Sequence, residues 1–308
     1  MTASYTPLHK SGELKTRADK ASALLKSCTV CPRLCKVNRL SGEPGKCCTG
    51  RRAVISSYGP HFGEEAPLVG TGGSGTIFFS YCNLKCIYCQ NYTISQSGQG
   101  NEASAEKLAT IMVYLQAKGC SNINLVSPTH VVPQILEALV KAVEKGLSVP
   151  LVYNSGGYDS VETLRLLDGV VDIYMPDMKY SDEETARRLS GIDDYPQTNR
   201  EAVKEMHRQV GDLVIGDDGI ATRGLLVRHL VLPGGLAGTE EVMRFISENV
   251  SANTYLNVMD QYRPEYRAYD NPELSRHLNM QEWSDAIGLA QKYGLNRLAH
   301  TESRFRLI

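Results

Sequence analysis

The sequence feature that most constrains this chain is a set of three cysteines at C-x3-C-x2-C spacing. Cys82, Cys86 and Cys89 directly follow the apolar run 76–81. The β-branched and aromatic residues of this run, and the glycines before it, predict a strand. The three cysteines are therefore expected on a loop at the carboxyl end of that strand.

Cysteine thiolates hold iron–sulfur cubanes, normally four to a cluster. Three from one short loop would leave one iron without a protein ligand, and an open metal position can bind a small molecule. The alternative is a structural zinc site or a set of buried structural cysteines. A structural zinc site requires a fourth cysteine or histidine nearby, but the next cysteine is Cys120 and the next histidine is His130. The spacing therefore favours a cluster.

The strand, the spacing and the aromatic Tyr88 just before the third cysteine resemble the radical S-adenosylmethionine (SAM) enzymes. The resemblance implies that Cys82, Cys86 and Cys89 ligate a [4Fe–4S] cluster whose open iron chelates the amino and carboxylate groups of SAM. It also implies that an electron from the cluster cleaves SAM to methionine and a 5′-deoxyadenosyl radical. An electron donor such as flavodoxin or ferredoxin is then an expected partner.

A second group of cysteines lies near the N-terminus, at C-x2-C-x3-C-x11-C spacing, in a stretch broken by glycine and proline. This spacing predicts a compact metal-binding loop, and tetrahedral zinc and a second iron–sulfur cluster both fit it. Zinc would act as a structural clip, whereas a cluster would relay electrons or hold substrate. The stretch resembles the leader of the radical SAM branch similar to the activating enzyme of pyruvate formate-lyase (PflX-like proteins). The expected ligands are Cys28, Cys31, Cys35 and Cys47.

Composition limits the function classes. The chain has 308 residues, a net charge of −1 and a hydrophobic fraction of 42%, which are typical of a globular protein. The chain lacks the excess of basic residues that is typical of nucleic-acid-binding proteins. No apolar stretch approaches the roughly 20 residues that span a bilayer, and the N-terminus lacks the apolar region of a signal peptide. A cytoplasmic location is expected, where nine cysteines favour metal binding or catalysis over disulfides.

The order of predicted elements gives the fold class. Strands and helices alternate from residue 74 onward, which predicts a parallel sheet in an α/β fold. A complete TIM barrel has eight such units, whereas six fit the partial (β/α)6 barrel that the resemblance implies. We expect a cysteine-rich module and linker at 1–73, the barrel at 74–308 and an inserted hairpin at 211–224. A helix is expected near 104–118, with Ser104 as its N-cap. The six strands are predicted at 76–81, 122–127, 149–154, 171–178, 225–232 and 254–259.

Polar residues at the carboxyl ends of these strands are candidate site residues, because the chemistry of parallel barrels lies there. By resemblance, Asp177 and Lys179 match the family's Asp-x-Lys pair near the SAM ribose and carboxylate, although a plain ion pair is the alternative. Asn154 matches a polar segment that contacts SAM. The expected cofactor-binding residues are Tyr88, Ser127, Thr129, Asn154, Asp177, Lys179, Arg228 and Gln261.

Some of these assignments depend on departures from the family pattern. Related enzymes carry a glycine pair and a glutamate at the end of the second strand, where this chain has 127–130. Ser127 or Thr129 would then contact the amino group of SAM, and His130 is expected to cap the next helix. Gln261 or Asp260 would replace a histidine that reaches SAM.

Two further stretches carry charge at informative positions. An arginine inside an apolar strand is costly to bury without an anion, so Arg228 is expected to pair with a carboxylate of SAM or substrate, or with an internal aspartate. Alternation along the strand places His229 on the opposite face. His61, Glu64 and Glu65 are expected to be solvated loop residues, with the alternative that they face the active site.

The sequence therefore predicts a radical SAM enzyme. Activating enzymes abstract hydrogen from a backbone glycine of a large partner, so a protein or peptide segment is the expected substrate. A small metabolite is the alternative. A non-enzymatic iron–sulfur carrier is the rival class, but a carrier needs no open iron.

Overall fold

The computed structural model describes residues 3–299. The helices are α1 Tyr5–Lys10, α2 Glu13–Ala23, α3 Ala66–Val69, α4 Tyr92–Ser95, α5 Ala105–Ala117, α6 Val132–Glu144, α7 Val161–Leu166, α8 Glu183–Ser190, α9 Tyr195–Val210, α10 Thr239–Asn249 and α11 Met280–Lys292. The strands are β1 Ala53–His61, β2 Ser74–Phe79, β3 Asn101–Ala103, β4 Ile123–Val126, β5 Leu151–Ser155, β6 Ile173–Pro176, β7 Val214–Ile215, β8 Ala221–Leu230 and β9 Tyr255–Met259.

Parallel strands form the centre of one mixed sheet. Strands β2, β4, β5, β6, β8 and β9 lie side by side in chain order, and each neighbouring pair is parallel. They correspond to the six predicted strands, so the predicted α/β class is confirmed. Strand β7 pairs antiparallel with the first residues of β8, as the predicted hairpin requires. Since parallel strands share one carboxyl edge, their polar ends meet.

The two faces of the sheet are packed differently. Ile77, Leu125 and Tyr153 belong to the main core between the sheet and its helices. Their strand neighbours point the other way, and we call that side the inner face. At the amino ends of the strands, Val152 and Leu226 on the inner face pack against α3. This apolar contact fills the inner face at one end, and the polar residues lie toward the carboxyl ends.

Strand β1 is an addition that the sequence did not predict. It pairs antiparallel with β2, with Tyr58 opposite Ile77, and it carries β3 on its other edge. Helix α1 also contacts the body of the fold, since the hydroxyl of Tyr5 donates to the carbonyl of Val149 at 2.8 Å. The division of the chain at residue 73 stays a prediction, and the predicted barrel end at residue 308 lies outside the described residues.

Local side-chain caps explain where several helices begin. Ser104 accepts a hydrogen bond from the amide of Lys107, so it is the N-cap of α5 that the sequence predicted. Asn279 and Glu282 form a reciprocal capping box at the start of α11, which satisfies two amide donors that a helix leaves unpaired. Within residues 3–299, no helix is long and apolar enough to cross a membrane.

Candidate functional site

The loop that carries the three cysteines, residues 80–91, follows β2 at the carboxyl edge of the sheet. We call it the three-cysteine loop. The amides of Lys85 and Ile87 donate to the carbonyls of the last two residues of α8, at 3.2 and 2.9 Å. The guanidinium of Arg33 donates to the carbonyl of Asn83 at 2.9 Å. The loop is therefore held from the sheet, from α8 and from the N-terminal segment.

Each thiol of the loop has a polar neighbour at hydrogen-bond distance. For one thiol this neighbour is a backbone amide, and for each of the other two it is a serine hydroxyl. The pairs are Leu84 N to Cys82 Sγ at 3.4 Å, Ser190 Oγ to Cys86 Sγ at 3.0 Å, and Ser95 Oγ to Cys89 Sγ at 3.0 Å. Sequence analysis did not identify the two serines, because neither lies in a motif.

Burial controls the protonation of these thiols. It raises the pKa of the Cys82 thiol to about 12. Burial also raises the pKa of Cys86, although the nearby ammonium of Lys179 opposes that rise. The metal-free thiols of Cys82 and Cys86 are therefore protonated at neutral pH, and a metal that binds them must displace their protons.

The donor set fits a cubane better than a single ion. A structural zinc site requires four ligands around one ion, whereas this loop supplies three thiols. In a cubane each cysteine binds a different iron, so three thiols leave one iron open. Three thiols on one loop, beside the cation Lys179, therefore suit an anionic cluster.

Four predicted residues from adjacent strand ends converge beside this loop. The carboxylate of Asp177 accepts hydrogen bonds from Lys179 Nζ at 2.6 Å and from Arg228 Nε at 3.1 Å. Arg228 also donates through Nη2 to Asn154 Oδ1 at 2.7 Å. The sequence analysis offered Arg228 either a carboxylate of SAM or substrate or an internal aspartate. The internal aspartate is in place as Asp177. This network ties together the ends of β5, β6 and β8.

The charges in this network stabilise one another. Burial would raise the pKa of Asp177, but Lys179 and Arg228 outweigh that effect and hold its pKa below the usual value. Burial would likewise lower the pKa of Lys179, but the attraction of Asp177 raises it. All three side chains are therefore charged at neutral pH.

Two residues of α9 fix the backbone under this network, and no sequence motif indicates either of them. The hydroxyl of Tyr195 donates to the carbonyl of Gly156 at 2.9 Å, and Asn199 Nδ2 donates to the carbonyls of Gly157 and Asp177 at 3.0 and 2.9 Å. Gly157 has a φ of +74°, and a Cβ there would lie 2.1 Å from the Asp177 carbonyl. Only glycine allows β5 and the end of β6 to approach so closely.

Other predicted cofactor residues lie around the loop in different settings. Tyr88 is buried, with its hydroxyl 2.6 Å from that of Tyr180 and its ring against Tyr262. Gln261 lies at the mouth of the cavity described below, and its carbonyl accepts from Gln90 at 2.9 Å. These contacts make Tyr88 a packing support for the loop and leave Gln261 facing open space.

The segment after β4 has a tight backbone. Ser127 has a φ of +58°, and its amide donates to the Asn154 carbonyl at 2.9 Å. The hydroxyl of Thr129 donates to the buried carboxylate of Asp159 at 2.6 Å. The expectation that His130 caps a helix is wrong, because its Nε2 lies 3.0 Å from the Ser80 carbonyl and α6 begins without a side-chain cap.

A cavity of about 1360 Å³ lies on the inner face of the sheet and opens beside the three-cysteine loop. The expectation that Glu64 and Glu65 are solvated is wrong, since both line this cavity and Glu65 is only 7% exposed. His61 also lines it, with its side chain 46% exposed. The alternative, that these glutamates face the site, therefore holds.

The N-terminal cysteines lie near one another around a buried arginine. The sulfurs of Cys35 and Cys47 both lie 3.5 Å from the position that a Cβ would take on Gly45. Arg39 is wholly buried, and its Nη1 lies 3.7 Å from Cys28 Sγ. Its other hydrogen bonds go to the carbonyls of Gly50 and His130. A buried cation therefore lies against these thiols.

Comparisons with known proteins agree with this site. Residues 76–221 match the model of the Radical SAM superfamily, which includes the three-cysteine loop and Asp177 and Lys179. The chain is also 35% identical over 293 residues to the uncharacterized protein MJ0674 of Methanocaldococcus jannaschii, covering 92% of this chain and 80% of that protein.

The fold also resembles solved structures at low sequence identity. A radical SAM methyltransferase from Sphaerobacter thermophilus is 13% identical with a TM-score of 0.48, over 72% of this chain and 64% of its own. Streptococcus suis SuiB bound to S-adenosylmethionine is 12% identical with a TM-score of 0.49, over 71% of this chain and 47% of its own. The chain thus spans less than two thirds of either protein, and likeness at this level carries no inference about substrate.

Replacing Asp177 tests the ion network. Asp177→Asn leaves Lys179 and Arg228 without their anion, and we expect it to lower the free energy of unfolding at pH 7 by about 3 kcal/mol. Because the folded-state pKa of Asp177 lies below its unfolded value, this contribution is complete above pH about 4 and is lost as the pH falls further. Urea unfolding of both proteins at pH 7 and at lower pH measures the difference.

The control is Asp193→Asn, which removes an exposed partner of Arg187 and should change stability little. Equal losses from the two substitutions would contradict the proposed role of Asp177. So would a difference between wild type and Asp177→Asn that grows as the pH falls.

Proposed function

Because this chain belongs to the radical SAM superfamily, we propose that Cys82, Cys86 and Cys89 hold a [4Fe–4S] cluster and that SAM binds at its open iron. The bound cluster and SAM supply a 5′-deoxyadenosyl radical that abstracts hydrogen from a substrate. The observation that carries this proposal is the placement of three thiols on one loop at the carboxyl edge of the sheet, next to a cavity of about 1360 Å³ that Asn91 of the same loop lines. A simple electron carrier has no use for such a cavity.

The other residues of the site bind and orient. In this proposal the strands form a partial (β/α)6 barrel, and its carboxyl edge presents Asn154, Asp177 and Arg228 to SAM. Lys179 contributes positive charge beside Cys86, which favours an anionic cluster and the SAM carboxylate. Ser127, Thr129 and Gln261 are further proposed contacts, and Tyr88 supports the loop by packing. The walls of the cavity exclude water from the radical.

Cysteine replacement tests the cluster. Anaerobically reconstituted protein should show a broad thiolate-to-iron absorption and should cleave SAM reductively. Cys82→Ala, Cys86→Ala and Cys89→Ala should each reduce 5′-deoxyadenosine to background, since each removes a cluster ligand. The matched control is Cys48→Ala, an exposed cysteine, which should cleave at the parent rate. Parent-rate cleavage by any of the first three variants would show that the ligand assignment is wrong.

We also propose that Cys28, Cys31, Cys35 and Cys47 bind a second metal, as zinc or as an iron–sulfur cluster. The support is Arg39, which is wholly buried and has no carboxylate at ion-pair distance among residues 3–299. An unpaired buried charge is costly. Metal-bound thiolates at Cys28 and its neighbours would supply the missing negative charge.

Metal analysis tests this second site. A variant with alanine at positions 82, 86 and 89 should still bind one zinc ion or one iron–sulfur cluster per chain, because the N-terminal ligands are intact. Retained zinc would identify a structural clip and retained iron a second cluster. Purified protein with neither metal after reconstitution would contradict the proposal.

The proposed substrate is a protein or peptide segment, and the enzyme is proposed to be similar to activating enzymes. Within the described residues β9 pairs only with β8 among the named strands, so the parallel set does not close into a ring. An open side of this kind can admit an extended chain. The proposed electron donor is a flavodoxin or ferredoxin.

Isotope transfer tests the substrate class. A deuterated proteome incubated with the reconstituted enzyme and unlabelled SAM should place deuterium in 5′-deoxyadenosine, because the radical takes hydrogen from its substrate. Mass spectrometry of 5′-deoxyadenosine after separating protein from small molecules gives the source. Transfer from the low-molecular-weight fraction alone would favour a small metabolite.

A further inference from the structure

An acidic residue on the inner wall of the cavity has unused hydrogen-bonding capacity. Glu65 is 7% exposed, and its Oε1 accepts a hydrogen bond from Asn257 Nδ2 at 2.8 Å. Its other oxygen, Oε2, has no partner within residues 3–299. Asn257 is 5% exposed, and its Oδ1 is also without a partner there. This hydrogen-bonded pair of side chains therefore has two buried acceptor oxygens that lack a donor among the described residues.

The position of Glu65 follows from the helix that it precedes. Leu68 of α3 packs into the apolar contact at the amino ends of the strands. Glu65, one turn earlier, reaches Asn257 of β9, which pairs in register with Arg228 of β8. Glu65 is thus held next to the β8–β9 strand pair, beside Arg228 of the ion network.

The charges around the cavity are strongly unequal. Among the lining residues within 3–299, Arg228 is the one Lys or Arg, and it already bonds to Asp177 at 3.1 Å. The lining also contains four carboxylates. They are Glu64, Glu65, Asp218 and Asp260.

His61 does not remove this excess. Its Nδ1 lies 2.9 Å from Glu64 Oε1, with the imidazole side chain 46% exposed. No Lys or Arg of residues 3–299 lies at ion-pair distance from Glu65, so the wall keeps an acidic excess even with His61 charged.

A buried carboxylate oxygen without a donor is costly, and the strongest donors to a carboxylate are cationic N–H groups. We propose that this wall binds a cationic nitrogen of the substrate, a primary ammonium or a guanidinium, which donates to Glu65 Oε2 and Asn257 Oδ1. This inference rests on the proposed function, because it places the substrate in the cavity beside the three-cysteine loop.

Two kinds of molecule can supply a cationic nitrogen of this type. A lysine or arginine side chain of a peptide presents such a group, and so does a free amine. The ammonium of SAM is the rival occupant of this wall. If SAM occupied it, replacing Glu65 would weaken SAM binding. The test therefore measures SAM cleavage and cation binding separately.

The experiment uses reconstituted protein with SAM. Calorimetry gives the affinity for Gly-Lys-Gly, for Gly-Arg-Gly, for n-butylamine and for the neutral control Gly-norleucine-Gly. We expect wild type to bind at least one cationic probe and not the control. Glu65→Gln, which keeps the size of the side chain and an acceptor for Asn257, should weaken that binding by about tenfold or more. SAM cleavage without substrate is measured in the same variant, and a loss of cleavage there would assign Glu65 to SAM and overturn the inference.

Glu102→Gln is the matched control, because Glu102 is an exposed residue of β3 outside the cavity, and it should bind as wild type does. Binding of peptides but not of n-butylamine identifies a peptide side chain, and binding of n-butylamine identifies a free amine. Equal affinity in wild type and Glu65→Gln would overturn the inference, as would no binding of any cationic probe by protein that cleaves SAM. Failure of wild type to cleave SAM would instead reject the proposed function.

Discussion

The carboxylate of Asp177 is the interaction on which the site depends. It accepts from Lys179 and Arg228 at 2.6 and 3.1 Å, and Arg228 continues to Asn154. Three strand ends are thereby fixed relative to one another where the backbone ladder is ending. Because the two cations outweigh the cost of burying the carboxylate, the network remains charged, and a charged network is rigid in a poorly solvated site.

This network also affects the charge of the cavity. Arg228 lines the cavity and is already paired with Asp177, whereas Glu64 and Glu65 line it without a Lys or Arg at ion-pair distance among residues 3–299. A cationic group of a molecule in the cavity is therefore attracted to the glutamates, which orients that molecule. Orientation matters for hydrogen abstraction, because one C–H bond must be held close to the reactive carbon.

Sequence patterns predicted the parts of the fold that depend on interactions between residues close together in the chain. The six parallel strands, Ser104 as a cap and the convergence of Asn154, Asp177 and Arg228 followed from periodicity and from strand-end positions. Strand β1 was missed because it contains Pro60 and alternates poorly. It pairs nonetheless, since Pro60 lies where β1 has a neighbour on one edge only, and there a missing amide costs no ladder bond.

Glu65, Tyr195 and Asn199 were missed for a different reason. Their roles depend on contacts with residues distant in the chain, and no local pattern encodes these. Glu65 stands beside Glu64 in a glycine-rich stretch that resembles a solvated loop, and only the packing of Leu68 turns it inward. A long-range contact of this kind becomes visible once the sheet positions α3.

The N-terminal segment supports the site through hydrogen bonds from Arg33. Arg33, two residues after Cys31, donates to the carbonyls of Asn83 and Gly191 at 2.9 and 3.0 Å, which lie in the three-cysteine loop and at the end of α8. A backbone that is ordered by metal at Cys31 would hold this guanidinium in place. Loss of that order would release one of the three supports of the loop. The two cysteine groups are therefore linked through Arg33.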